Sequence, residues 1–417
     1  MKFNLHNMFK VSEHNYIKKI SNIALGTTIS QLVNFVFLIL LSNIYLPQQF
    51  AAYGFFVSIS LILAPILTLR YEYSIPLVEQ KHIQIMITNV ILTIIFVSIF
   101  LVLLCKYIFS FNIGLPEISL SLLMISIIGL GIFNTLHYVC IAKQYFTILS
   151  CLFIFRAAVI GFIQILLIYA FNDTTGLITG YAVGNIISSA IFIVLIISKH
   201  KILNFTWENN KFFLKKFINF PLYNMPSALI GITASNLLIL MLPMIYSDEE
   251  AGMYFFILKI VAAPTALLSV AIGSVFYKNA ADAYLESRSA KKVLDKFSIF
   301  LFIFGMVCFS ILTLLMSPII RNIFSEQWFP SIEYGYIILP LIFIQFVVSP
   351  LTQINNIFEK QKLALIWQIA LLINNILLLY VSKFLGLTFT EFLYLATVIT
   401  SLLYLLLYLS IRKVARG

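Results

Sequence analysis

Phe50–Pro65 reads FAAYGFFVSISLILAP, and Ala251–Pro264 reads AGMYFFILKIVAAP. Each stretch follows a short polar turn, carries aromatic residues in a Tyr-Phe-Phe-like pattern and ends in Ala-Pro. In both cases one apolar segment precedes the stretch, and five run from its start to the end of that half. Such a pattern, returning once at half-chain distance, points to an internal duplication. Chance similarity between apolar runs is the plain alternative, and the matched turn and proline argue against it.

The surroundings are those of a membrane protein. Of 417 residues, 61% are hydrophobic and 10% charged, whereas a soluble domain carries about 25% charged residues. A span needs about 20 mostly apolar residues. Candidates fall near 20–45, 50–70, 84–105, 117–139, 147–171 and 176–198, then 219–245, 251–276, 297–320, 334–355, 363–384 and 389–411. The expected fold is all-α and integral to the membrane, with about twelve transmembrane helices in two six-helix lobes around a central cavity.

The net charge of +11 does not indicate nucleic acid, because the basic residues form short clusters between apolar runs. Nearly all fall in alternate connections, from Lys18 and Lys19 through Lys215 and Lys216 to Arg412 and Lys413. The intervening connections are short and hold acids such as Asp173, Asp248, Glu249, Glu250, Glu326 and Glu333. By the positive-inside rule both termini lie in the cytoplasm. The basic N-terminal stretch is expected to be retained on that face. Both halves then start on the same side, so the repeat is parallel, as in several transporter classes. The most basic internal stretch, 199–218, is the natural cytoplasmic seam between an N-terminal lobe, 1–198, and a C-terminal lobe, 219–417.

Several classes are excluded. No connection is long enough for a catalytic domain, so the chain is not read as an enzyme. Cys105, Cys140, Cys151 and Cys308 form no CxxC pair and lie in or beside apolar runs. They read as packing residues, with no metal site, disulfide framework or cofactor.

Polar residues inside the spans are the candidates for function. Gly26, Ser30 and Asn34 recur at four-residue spacing in the first span, with Gln31 beside them. Ser227, Gly231 and Ser235 do so in the seventh, with Asn224 and Asn236 nearby. Small residues at this spacing allow close helix packing, but Asn and Gln exceed that need and read as the lining of a wet cavity. Lys259 lies well inside the eighth span, where a lysine at the centre costs about 2.5–3.5 kcal/mol. It either snorkels to the interface or binds an anion. Arg156, in the fifth span, reads more simply as a snorkelling arginine. Pro65 and Pro264 are read as interruptions of spans 2 and 8. Arg70 and Glu72 stand close enough to pair, and His137 reads as packing. No Asp or Glu falls at the middle of a span, so no carboxylate proton relay is evident.

Four segments, in order, carry a resemblance: the first-lobe turn continuing through Leu69–Ile75 (LRYEYSI), Lys143–Phe146 (KQYF) near Arg156, Phe220–Pro226 (FPLYNMP), and Ala251–Pro264 around Lys259. On these the chain resembles the Wzx-type flippases of O-antigen and capsule repeat units, within the multidrug/oligosaccharidyl-lipid/polysaccharide exporter superfamily. The resemblance implies a V-shaped, two-lobed transporter of the bacterial inner membrane. Its implied work is to move undecaprenyl-pyrophosphate-linked oligosaccharide between leaflets by alternating access. The implied partners are that lipid-linked oligosaccharide, membrane lipids and other glycan assembly proteins. Lys259, with Arg156, then contacts the pyrophosphate, while Asn34, Gln31, Asn224 and Asn236 shelter sugars. Lys at 259, where the related lipid II flippases carry Arg, keeps a point charge but gives up bidentate phosphate geometry. The alternative within the superfamily, an ion-coupled multidrug exporter, needs a buried acid that the sequence does not reveal.

Overall fold

A computed structural model describes residues 13–109, 120–171, 173–199 and 207–416. The extreme N-terminus (1–12), the start of the expected fourth span (117–119), Asn172 and residues 200–206 of the seam lie outside the described residues.

Long apolar runs with few breakers give helices, and the described residues contain no strand. In chain order these are α1 Glu13–Ser42, α2 Pro47–Thr68, α3 Ile83–Phe109, α4 Leu120–Ala142, α5 Phe146–Leu166 and α6 Thr174–Lys199. A short α7, Trp207–Lys216, lies within the seam. Then follow α8 Met225–Ile245, α9 Asp248–Val261, α10 Ala263–Ser287, α11 Lys291–Ile323, α12 Ser331–Val348, α13 Ile354–Ile357, α14 Gln361–Leu385 and α15 Phe389–Val414. Eleven helical segments among the described residues are long and apolar enough to cross a membrane. The protein is therefore a multi-pass membrane protein.

Helix ends follow local chemistry. Ser247 Oγ accepts from the Glu250 N–H while Glu250 returns a carboxylate to the Ser247 N–H, a capping box that starts α9. Thr388 and Glu391 do the same for α15. The eighth span is not continuous: α9 ends at Ala262, and Pro264 stands in the first turn of α10, where its missing N–H costs nothing. Pro65 behaves otherwise than expected. It lies inside an unbroken α2, because one lost backbone bond does not end a helix held on several sides by neighbours.

The buried side chains form two clusters. One is drawn from residues 56–213. The other joins residues 242–415 with Leu41, Tyr45, Phe50, Ala51 and Leu177 of the first half. The seam is partly structured: Phe213 of α7 packs in the first cluster, and Asn89 Nδ2 donates to the Asn210 carbonyl at 3.3 Å.

The two repeated stretches meet each other at the acid-bearing end. A Cβ added to Gly252 would stand 1.7 Å from the Pro47 carbonyl oxygen, and one on Gly54 would stand 2.8 Å from Phe255. Glycine thus lets α2 and α9 touch backbone to backbone. Phe50 contacts Phe256 and Trp328 edge-on at 6.4 and 4.9 Å. The Trp328 indole donates to the Ser42 carbonyl at 2.7 Å.

Candidate functional site

Past its first turn α9 is enclosed on all sides. Every residue from Ala251 to Val261 is buried except Leu258, which is half-buried, and Lys259, which is exposed. A helix facing lipid exposes an apolar stripe at three- and four-residue spacing; α9 has none. The Lys259 ammonium lies 4.8 Å from the Phe255 ring centroid, one turn back, a cation–π contact. Among the described residues it pairs with no carboxylate.

Arg156 lies halfway along α5. Its Nε donates to Asn185 Oδ1 at 2.8 Å, and its guanidinium lies 4.2 Å from the Phe133 ring centroid. Asn185 is fully buried and anchored by its own Nδ2, which donates to the Tyr181 carbonyl at 2.8 Å. Both partners sit near the middle of their helices, so Arg156 does not snorkel to an interface. It too lacks a carboxylate partner among the described residues.

A line of rings runs between the two cations. Tyr181 contacts Tyr53 edge-on at 5.8 Å, and Tyr53 contacts Phe255 at 5.9 Å. Arg156 stands beside Tyr181 and Tyr53, while Lys259 lies over Phe255. The cation of each half is thus tied to one aromatic bridge that crosses between α2 and α9. In the sequence Tyr53 and Phe255 stand out only as packing of the repeat, and Tyr181 and Asn185 do not stand out. Their only signal was a buried-type Asn in a span.

The amide candidates are more scattered. Leu25, Ile29, Leu32, Val36 and Leu40 form an exposed apolar stripe on α1. At about 100° per residue, Asn34 lies about 180° from Leu25, and it is itself exposed. Gln31 is half-buried. Gly26 and Ser30 are buried, with Gly26 pressed against Ser150 of α5, so that part of the stripe serves packing. On α8, Gly231 abuts Gln368, and Ser227 Oγ donates to Gln368 Oε1 at 3.3 Å. Asn375 Nδ2 donates to the Ala234 carbonyl at 2.8 Å. These join α8 to α14. Asn236 is half-buried and bonds back to the Ile232 carbonyl at 2.8 Å. Asn224 is exposed, in a π-helical turn, Phe220–Asn224, framed by Pro221 and Pro226.

A second polar cluster closes the other end of α2. Leu69 and Arg70 adopt successive left-handed conformations, φ 47° and 60°, each costing about 1–2 kcal/mol. They turn the chain into a 3₁₀ segment, Tyr71–Leu77. That segment carries Glu72, whose side chain is fully buried 3.7 Å from Arg70 Nη1. The pair is as expected, but its distance exceeds a hydrogen bond. Burial pushes the Glu72 carboxyl above the usual carboxylate range, with Thr68 and Arg70 pulling the other way. Arg70 Nη1 donates to the Tyr73 hydroxyl at 2.9 Å. His137 is a packing residue here, 5.1 Å from Tyr138 and 5.6 Å from Phe153.

No family model matches the sequence. No curated protein matches it significantly. Solved structures do match in fold. A lipid II flippase, MurJ, in an inward closed conformation, is 17% identical with a TM-score of 0.71, over 94% of this chain and 89% of that one. A MATE transporter of Vibrio cholerae, VcmN, is 14% identical with a TM-score of 0.59, over 95% of this chain and 96% of that one. A transporter from Pyrococcus furiosus with a binding pocket of reverse polarity is 12% identical with a TM-score of 0.61, over 95% of each chain. The chain shares their two-lobed helical fold.

Proposed function

We propose that this protein is a flippase for polyprenyl-pyrophosphate-linked oligosaccharide repeat units, working by alternating access between halves 1–198 and 219–417. The observation that carries this reading is Lys259: a cation without a carboxylate partner, exposed from a helix otherwise buried all round. A charge held in that way needs water and an anion. Arg156, fixed across the aromatic bridge, supplies a second positive centre on the anion's path. Asn34, exposed on the side of α1 opposite its lipid stripe, is placed to meet hydroxyls, as are Gln31, Asn224 and Asn236. Sugars so sheltered avoid about 30 Å of hydrocarbon, while the polyprenyl tail stays in lipid.

The fold likeness to a lipid II flippase supports the reading at the level of architecture. In cells lacking the gene, lipid-linked repeat units should accumulate on the cytoplasmic side. Wild-type and Lys259→Arg protein should clear them, and Lys259→Ala should not, at equal protein level. Full clearance by Lys259→Ala removes the role assigned to that residue.

A second reading, an ion-coupled multidrug exporter, draws on the MATE likeness and on Glu72, the buried acid that such an exporter needs. It predicts efflux of organic cations that depends on Glu72 and persists in Lys259→Ala. The flippase reading accounts better for two unpaired cations at the bridge, which repel cationic drugs.

A further inference from the structure

A groove of about 810 Å³ lies between α12, α15 and the end of α11, away from the aromatic bridge. Arg321 and Glu333 both line the groove, at the acid-bearing end. They are exposed, and among the described residues neither is paired with the other or with any other charge. Arg321 is pre-positioned: its guanidinium lies 5.3 Å from the Phe329 ring centroid, and its Nε donates to Ser317 Oγ at 3.3 Å.

The floor is polar where it should be apolar. Thr397 and Ser401 are one turn apart on α15 and both line the groove. Thr397 is only 7% exposed. Neither hydroxyl has a hydrogen-bond partner, although helical Thr and Ser usually bond back to the preceding turn. Pro340, also in the lining, has no N–H to give the Tyr336 carbonyl its usual helix bond. The outer wall is greasy: Tyr394, Val398 and Leu402 are more than half exposed along one side of α15. The groove therefore opens sideways into hydrocarbon.

We infer that this groove binds a zwitterionic glycerophospholipid with a primary ammonium headgroup, phosphatidylethanolamine. Arg321 takes the phosphate. Glu333 and the Tyr336 carbonyl accept from the ammonium, which a choline headgroup cannot donate. Thr397 lies more than two turns into α15, whereas Glu333 lies in the first turn of α12, so the hydroxyl sits deeper than the carboxylate. Ester carbonyls likewise lie beneath a headgroup, and the acyl chains continue past Ser401 along Val398 and Leu402. A lone anionic headgroup leaves Glu333 without a partner and in repulsion.

The test is native mass spectrometry of the full-length, delipidated protein titrated with phosphatidylethanolamine, phosphatidylcholine and phosphatidylglycerol of matched chains. Phosphatidylethanolamine should be retained preferentially. Arg321→Gln and Glu333→Gln should each lower its retention about tenfold, the loss of one charge-assisted contact. Thr397→Val, near-isosteric, should lower retention while leaving the melting temperature in detergent at the wild-type value. Lys383→Gln, outside the groove, should change nothing. Equal retention of the three lipids, or groove variants that retain phosphatidylethanolamine like the wild type, would overturn the proposal. So would a polyprenyl phosphate displacing it from the groove.

Discussion

Tyr53 and Phe255 meet edge-on, with ring centroids 5.9 Å apart and planes at 84°. One belongs to each repeated stretch. Tyr53 continues to Tyr181 and the neighbourhood of Arg156; Phe255 continues to Lys259. The contact that joins the halves is thus also the contact that spaces their cations. Any rocking of one half on the other changes the separation of the two charges.

The glycines behind this contact should be intolerant of bulk. Gly252→Val must push α2 off α9, since its Cβ has only 1.7 Å to the Pro47 oxygen. The expected loss is about 1–3 kcal/mol, read as a lower melting temperature in detergent. Gly386→Ala is the contrast. That glycine has φ 64° and open space around it, so only backbone strain of about 1–2 kcal/mol is added.

Arg156 and Lys259 should respond differently to conservative exchange. Arg156→Lys cannot keep both the planar stack on Phe133 and the directed bond to Asn185. A lost bond to a charged group is worth about 1.5–3 kcal/mol of stability, and the unanchored ammonium should also hold polyprenyl pyrophosphate less well than the fixed guanidinium does. Lys259→Arg, already free of a fixed partner, should keep its affinity. Isothermal titration of the two variants checks the asymmetry.

Glu72 should make stability depend on pH. Burial raises its carboxyl above the ordinary 4.5, so the folded protein holds this proton more tightly than the unfolded chain. Its contribution is fully present below the unfolded value and is lost as pH rises through the folded one. Melting temperature should fall as pH rises above the ordinary carboxylate value of 4.5. Glu72→Gln should flatten that part of the curve and melt higher at neutral pH. A rise with pH in the wild type would contradict the assignment.

Much of the architecture was legible because hydropathy and charge alternate so strongly. The repeat was legible because its residues, Phe50, Tyr53, Phe255 and Phe256, pack against one another. The Arg70–Glu72 pair could be anticipated from adjacency, but not its burial, which depends on the left-handed turn at Leu69 and Arg70. The Asn185 anchor of Arg156 was hidden, since it requires the register of α5 on α6. Pro65 and Pro264 look alike in sequence, yet only one marks a helix break.

The central claim is that Lys259 opens onto water shared by both halves. The most direct measurement is the rate at which a charged, membrane-impermeant thiol reagent modifies Lys259→Cys in a background without the four native cysteines. Fast modification, slowed by polyprenyl pyrophosphate, is the predicted result. A thiol at 259 that reacts only with apolar reagents, indifferent to that lipid, would contradict it.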